Sequence, residues 1–253
     1  KEYFMNNFKK VGLTALAGSL VAFSAHAGEL SVSGGVNATY KWGTATSTSN
    51  DTGKSIGTDK DVAFTGSGEL DNGTTFSVMT ATTDKQSALT SANMTIGTPS
   101  FGSFLLGNNS GAAHYKYDEE VPTAYEQLSD IDLTLSQNKI GDFMDNNHIT
   151  YTTPTFEIGG ASITADIGYA SNANDTSTAD GGVARTAGAT YGTGKEAGIT
   201  ITYDALKLGV YGAERENTTR AKAGTDAVRD EFNGVWYASY SFGPVSIGYS
   251  EGY

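Results

Sequence analysis

Leu30-Ser31-Val32-Ser33-Gly34-Gly35-Val36-Asn37-Ala38-Thr39-Tyr40-Lys41-Trp42 is the stretch that decides the fold. Leu30, Val32, Val36, Ala38, Tyr40 and Trp42 fall on one side, with Gly34 keeping the register; Ser31, Ser33, Gly35, Asn37, Thr39 and Lys41 fall on the other. Strict alternation is the period of a β-strand with one apolar and one polar face. Soluble strands usually run about 5–6 residues, whereas a tilted strand crossing a bilayer needs about 9–11. Tyr40 and Trp42, at the far end, stand where an aromatic belt meets the membrane interface.

The same pattern recurs along the chain. Strands are expected at Asp61–Leu70, Thr74–Thr83, Ala88–Gly97, Ser103–Asn109, Asn147–Thr153, Ala161–Ala170, Glu196–Tyr203, Leu206–Arg215, Phe232–Ser241 and Val245–Tyr253. Connections alternate in length. Asp71–Gly73, Thr98–Gly102, Pro154–Gly160, Asp204–Ala205 and Phe242–Pro244 are short turns, while Gly43–Lys60, Ser110–Asn146, Ser171–Lys195 and Glu216–Glu231 are long and polar. Short turns at one end and long loops at the other mark an outer-membrane barrel. A soluble barrel or sandwich needs an apolar inner core, and here the inner face is Ser, Thr, Asn, Asp and Gly. The expected fold is therefore an all-β transmembrane antiparallel β-barrel. Eleven strands is an odd number where bacterial barrels are even, so the chain is expected to be an incomplete barrel.

Composition agrees with this reading. The 253 residues include 32 glycines, 14 tyrosines and 11 phenylalanines against 4 prolines, and no cysteine. Disulfides, thiolate catalysis and Cys-based zinc sites are thereby excluded. A mean hydropathy of −0.30 is too polar for a helix bundle in a membrane but suits a barrel whose alternate residues face lipid. The net charge is −12; residues 1–27 carry Lys1, Lys9 and Lys10 against Glu2, so the remainder stands at −14. That balance argues against a nucleic-acid partner and favours attraction of cations.

The N-terminus has its own signature. Lys9 and Lys10 precede the apolar run Val11–Phe23, and Ala25-His26-Ala27 is an A-x-A cleavage site before Gly28. This is the pattern of a secretory signal helix, too short for a transmembrane span. The organisation expected is upstream residues plus signal over 1–27, with cleavage between Ala27 and Gly28, then the barrel over 28–253.

Ser110–Asn146 is the longest gap in the strand pattern. It holds Asp118, Glu119, Glu120, Glu126, Asp130, Asp132, Asp142 and Asp145, against Lys116 and Lys139 only. A loop this long within a compact domain is uncommon and usually functional. Its interspersed Tyr115, Tyr117, Tyr125, Ile131, Leu133 and Leu135 suit packing on a wall; the competing reading is a solvated acidic loop.

Three local motifs carry a family resemblance. They are Val62-Ala63-Phe64-Thr65-Gly66-Ser67-Gly68-Glu69-Leu70-Asp71-Asn72-Gly73-Thr74, Phe101-Gly102-Ser103-Phe104-Leu105-Leu106-Gly107-Asn108, and Asn147-His148-Ile149-Thr150-Tyr151-Thr152-Thr153-Pro154-Thr155-Phe156. In this order, around a long acidic loop, they resemble the general trimeric porins of Gram-negative bacteria, most similar to alphaproteobacterial members. The resemblance implies a sixteen-stranded barrel in outer-membrane lipid, a homotrimer, and passive diffusion of small hydrophilic solutes and ions. It also implies that the long loop folds inward as a constriction, with Asp118, Glu119, Glu120, Glu126, Asp130 and Asp132 at the pore. The chain departs from the family at Asn108, where many members carry an arginine facing the loop, and at Thr150 and Thr152. Alternation offers Lys41, Lys207 and Arg215 as substitute basic residues, and Asn108, Thr150 and Asp166 as polar lining.

Other chemistry is weakly marked. Gly194-Lys195 lacks the Ser or Thr that a phosphate loop needs. Asp130-Ile131-Asp132 opens like a calcium loop but Thr134 and Leu135 fail its later positions, so no cofactor is assigned, with structural calcium left open. His114 and His148 are too few and too far apart in sequence for a recognisable zinc motif. No acid/base carboxylate pair is marked, so an enzyme is not expected; a secreted soluble β-rich adhesin or carbohydrate-binding module is the alternative function.

Overall fold

The computed structural model describes residues 28–43, 53–83, 91–117, 120–121, 140–145, 147–173, 191–218 and 230–253. The expected signal segment and Ala27 lie outside the described residues, as do Asp118, Glu119, Glu126, Asp130 and Asp132. The chain divides into two compact units, residues up to Thr90 and Ser91–Tyr253.

The first unit is an antiparallel meander of β1 (Glu29–Gly43), β2 (Gly53–Glu69) and β3 (Thr75–Thr83). β1 pairs along its whole length, from Glu29 opposite Ser67 to Gly43 opposite Gly53. The segment Gly53–Lys60, expected as loop, is therefore strand. It has no alternation of its own, but every backbone N–H and C=O of a long β1 needs a partner, and the neighbouring chain supplies it. Val32 lies opposite Phe64, and with Val62, Phe76 and Val78 these side chains form an exposed apolar face. The β2–β3 turn is closed by Leu70 N–H to Thr74 O and Gly73 N–H to Leu70 O, both 2.8 Å. Gly73 supplies the φ of 77° that this turn requires.

The second unit contains β4 (Ser91–Thr98), β5 (Gly102–Asn108), β6 (His148–Thr152), β7 (Phe156–Ile158), β8 (Ala161–Ala170), β9 (Tyr191–Tyr203), β10 (Leu206–Asn217), β11 (Glu231–Phe242) and β12 (Val245–Gly252). Its sheet is antiparallel in the order β4-β5-β6-β8-β9-β10-β11-β12, with β7 also on β8. Twelve strands are thus described where eleven were expected. The extra one comes from Pro154–Gly160, expected as a turn throughout. Thr152 pairs with Asp166 and Phe156 with Ile163, so three residues on one strand face two on the other. This is a one-residue bulge at Pro154, which has no N–H to give the ladder. Thr153 bridges the gap: its N–H donates to Ala165 O at 2.9 Å, and its Oγ1 accepts from Ala165 N–H at 3.0 Å. β6 and β7 are one bulged strand, and the turn itself is Gly159–Gly160. β9 likewise begins at Tyr191, ahead of the expected Glu196, because β10 continues past Arg215 and pairs Asn217 with Tyr191.

Alternation is clear on β8, where Asp166, Gly168 and Ala170 are buried while Ile167 and Tyr169 are exposed. The core does not lie between sheets. It consists of Ala112, Ala113, Tyr117, Ile140, Phe143 and Met144 from the two ends of the 110–146 segment, packed with Ala170, Ala173, Tyr211, Ala213, Val235 and Tyr237. The opposite face exposes Ile149, Ile167, Ile199, Val210, Trp236 and Tyr249, among others, a far larger apolar surface than soluble monomers show. No helix among the described residues is long and apolar enough to cross a membrane, a fact with no bearing on strands.

Ile199, exposed between Ala165 and Val210, tests what covers this face. Ile199→Arg is expected to destabilise the protein in lipid bilayers by about 2–4 kcal/mol near the midplane, read from urea unfolding. A change below about 0.5 kcal/mol, the range of ordinary surface substitutions, would mean that the face does not meet hydrocarbon.

Candidate functional site

The site is built on two carboxylates, each opposite a glycine. Asp166 of β8 pairs with Gly198 of β9, and Glu196 of β9 pairs with Gly168 of β8. The glycines leave room for what lies above. A Cβ at Gly198 would stand 2.4 Å from Cζ of Tyr117, and one at Gly168 would stand 2.2 Å from Oε1 of Glu196. Neither position has space for a side chain.

Both carboxylates hold the first root of the loop. Glu196, 3% exposed, accepts hydrogen bonds from Ala113 N–H at 2.8 Å, Tyr211 OH at 2.7 Å and, more weakly, Thr150 OH at 3.4 Å. Asp166, 1% exposed, accepts from Lys116 Nζ at 2.5 Å, Tyr117 OH at 2.8 Å and Thr152 OH at 2.5 Å. A 3-10 turn at Ala113–Lys116 delivers these groups together: Ala113 goes to one acid, Lys116 and Tyr117 to the other. The Tyr117 ring then stacks on Tyr211 with centroids 5.2 Å apart. Hydrogen bonds to charged groups contribute about 1.5–3 kcal/mol each, so the anchor is strong.

The second root docks by a different route. A 3-10 turn at Asp142–Met144 buries Phe143 and Met144 beside Ile140. Gly141 has φ 77° and donates its N–H to Asn233 Oδ1 at 3.1 Å; a Cβ there would come within 2.3 Å of Tyr211 Oη and 2.5 Å of His114 Cβ. The roots are joined by Asn109 N–H to Asp145 O at 2.6 Å and by Tyr115 OH to Asp145 Oδ2 at 2.8 Å.

Burial shifts the titratable groups between the roots. Desolvation, helped by nearby His148, lowers the His114 pKa to about 4, so its imidazole is neutral at pH 7. Desolvation raises the Asp145 carboxyl to about 7; the Tyr115 hydrogen bond opposes this, and the charges of Asp142 and Glu196 add to it. Burial also raises the Tyr117 phenol. The 3.6 Å approach of His114 Nε2 to Asp145 Oδ1 is therefore no ion pair at neutral pH, and it is too long for a good hydrogen bond.

The residues singled out from sequence fall as follows. Glu120 is ion-paired with Lys207 of β10, tying loop to wall. Arg215 is paired with Glu231 at 2.6 Å and its guanidinium lies 3.4 Å from the Tyr191 ring centroid. Asn108, Thr150 and Asp166, expected as pore lining, are all buried. Thr150 and Asp166 lie beneath the first root. Asn108 shares the register of Phe104 and Leu106 and donates to Asn147 Oδ1 at 3.0 Å. The β1 backbone includes Lys41, whose side chain lies outside the described residues. Sequence reading missed Glu196, Tyr211 and Asn233, and it considered His114 only to set it aside as a zinc ligand. For Glu196 a signal existed: it is the one acid on the inward register of β9, flanked at two residues by Gly194 and Gly198.

Glu196→Ala would leave Ala113 N–H and Tyr211 OH without their acceptor, at about 1–3 kcal/mol for each buried unsatisfied group. Chemical unfolding is expected to register that loss, and proteolysis within 118–139 to accelerate; Glu196→Gln, which keeps an acceptor oxygen, should lose less. Unchanged stability and cleavage in the alanine variant would mean that Glu196 does not anchor the loop.

The sequence model of the Gram-negative porin family matches residues 12–252. No match was found among curated protein sequences. Among solved structures, a mutant of Rh. blastica porin is similar with a TM-score of 0.50 and 15% identity, over 88% of this chain and 74% of that one. A second mutant of the same porin is similar at a TM-score of 0.49 and 14% identity, with the same coverage. The first likeness concerns the fold; the family match carries the assignment and sets aside the soluble-adhesin alternative. Together with the alternating strands and the two loop roots seated on their polar face, it establishes that the chain belongs to the Gram-negative porin family, outer-membrane proteins that form water-filled channels for small hydrophilic solutes and ions.

Proposed function

We propose that this porin is a cation-preferring passive channel whose 110–146 loop sets the constriction, and that it works as a homotrimer without any catalytic step. The observation that carries the reading is the charge pairing on the loop-bearing face. Lys116 is bound by Asp166, Lys207 by Glu120 and Arg215 by Glu231. Among the described residues of this face, each of these cations is already matched by an acid, whereas the partners of Glu196 are neutral. The remaining acids of the loop and the −14 balance from Gly28 onward then bias the water-filled space toward cations, as charged rings do in pores. Thr150 and Thr152, on a strand where the resembling family often has arginine, support the same sign. Trimer formation follows from family membership as a proposal, and chemical cross-linking in detergent tests it.

Reversal potential across a planar bilayer under a KCl gradient measures the preference. Cation selectivity is expected, and anion selectivity would refute it. Replacing Asp118, Glu119 and Glu120 by their amides should weaken the preference, and should do so less at high salt, where exposed charges are screened beyond about 3 Å at 1 M. Selectivity unchanged by this triple substitution would remove these acids from the pore.

A further inference from the structure

We propose that His114, Asp142 and Asp145 form a binding site for a divalent transition-metal ion of the zinc class, which clips the two roots of the loop together. One ligand atom from each of the three residues can be chosen so that all lie within 4.8 Å of one another. His114 Nε2 and Asp145 Oδ1, at 3.6 Å, are close to the separation of roughly 3.3–3.4 Å that two tetrahedral ligands have when their metal bonds are about 2.0–2.1 Å. Small movements of the carboxylates would complete the set.

The independent sign is the oxygen that the histidine faces. His114 is 1% exposed and its Nε2 stands 3.6 Å from Asp145 Oδ1, a buried carboxylate oxygen with no hydrogen-bond partner. Buried polar atoms left in this state are few in native proteins and call for an explanation such as an ion. The donor set selects the class of ion. One imidazole nitrogen with two carboxylates suits zinc and its first-row neighbours, whereas calcium takes an all-oxygen shell of 6–8 ligands. Asp142 is exposed, which gives the ion a way in and leaves room for water to complete the shell.

The position gives the site a role. His114 belongs to the first root and Asp142 and Asp145 to the second, so a bound ion closes the whole intervening loop. A clip on a long loop removes more chain entropy than one on a short loop. Metal binding therefore couples to how firmly the constriction is held, a property separate from the charge preference proposed above.

The test uses untagged protein in detergent, stripped with a chelator, and titrated with Zn2+ by calorimetry alongside its thermal unfolding. Saturable binding of one Zn2+ per chain is expected, with a rise in midpoint temperature, and His114→Ala should weaken it by about tenfold or more. Asp145→Asn should do the same, and it decides the matter should His114→Ala fail to give heat-modifiable migration on gels. Millimolar Ca2+ should not displace the zinc. No saturable binding, unchanged affinity in both variants, or displacement by calcium at comparable concentration would each overturn the proposal. Single-channel conductance of the stripped protein is recorded in parallel, so that loss of the metal site and loss of the pore are told apart.

Discussion

Two buried carboxylates opposite two glycines are what the second unit depends on. A carboxylate removed from water must recover its solvation from donors, and Asp166 and Glu196 recover it from the loop as much as from the wall. The dependence runs both ways. Without the loop, the acids would meet bulk water on an open sheet face; without the acids, Ala113 N–H and the Tyr117 hydroxyl would lose their acceptors. Gly198 and Gly168 make the arrangement sterically possible. The main contribution of these glycines is the absence of a side chain where the Tyr117 ring and the Glu196 carboxylate must lie.

This explains how a porin unit is stable with so little core of the usual kind. Its buried apolar set is confined to the loop roots and the strand positions under them, while the larger apolar residues point away from it. The strands meet lipid on one side and a mainly polar interior on the other, and neighbouring strands pair their backbone N–H and C=O groups, as a hydrocarbon environment demands. Packing at the roots adds what the ladder alone cannot: a fixed place for the two ends of the loop.

The parts legible in sequence were those governed by nearest neighbours. Alternation in Leu30–Trp42 and Ala161–Ala170 identified both the strands and their two faces, and it put Lys207 and Arg215 on the loop-bearing face. Glycine turns such as Asp71–Gly73 were legible for the same reason. The misreadings have one cause in common. Gly53–Lys60 and Tyr191–Lys195 look like loop because their Ser, Thr, Gly and Lys residues carry no period, yet a partner strand pairs with them. Phe156–Ile158 looks like part of a turn because Pro154 breaks the ladder, although the bulge absorbs the break. The site was less legible still. Ala113 finds Glu196 at a separation of 83 residues and Gly141 finds Asn233 at 92, and no local pattern encodes such pairs.

Those separations also set an order of events. Most of the groups that seat the loop belong to β8, β9, β10 and β11, all later in the chain than the loop itself. Contacts between distant residues form only after the entropy of closing the intervening chain has been offset, and here each strand pair must be zipped before Asp166, Glu196, Tyr211 and Asn233 stand side by side. The wall is therefore expected to assemble before the loop is laid on it. With the loop as the constriction proposed above, a nascent channel of this kind would start wide and become selective only in the last step of its folding.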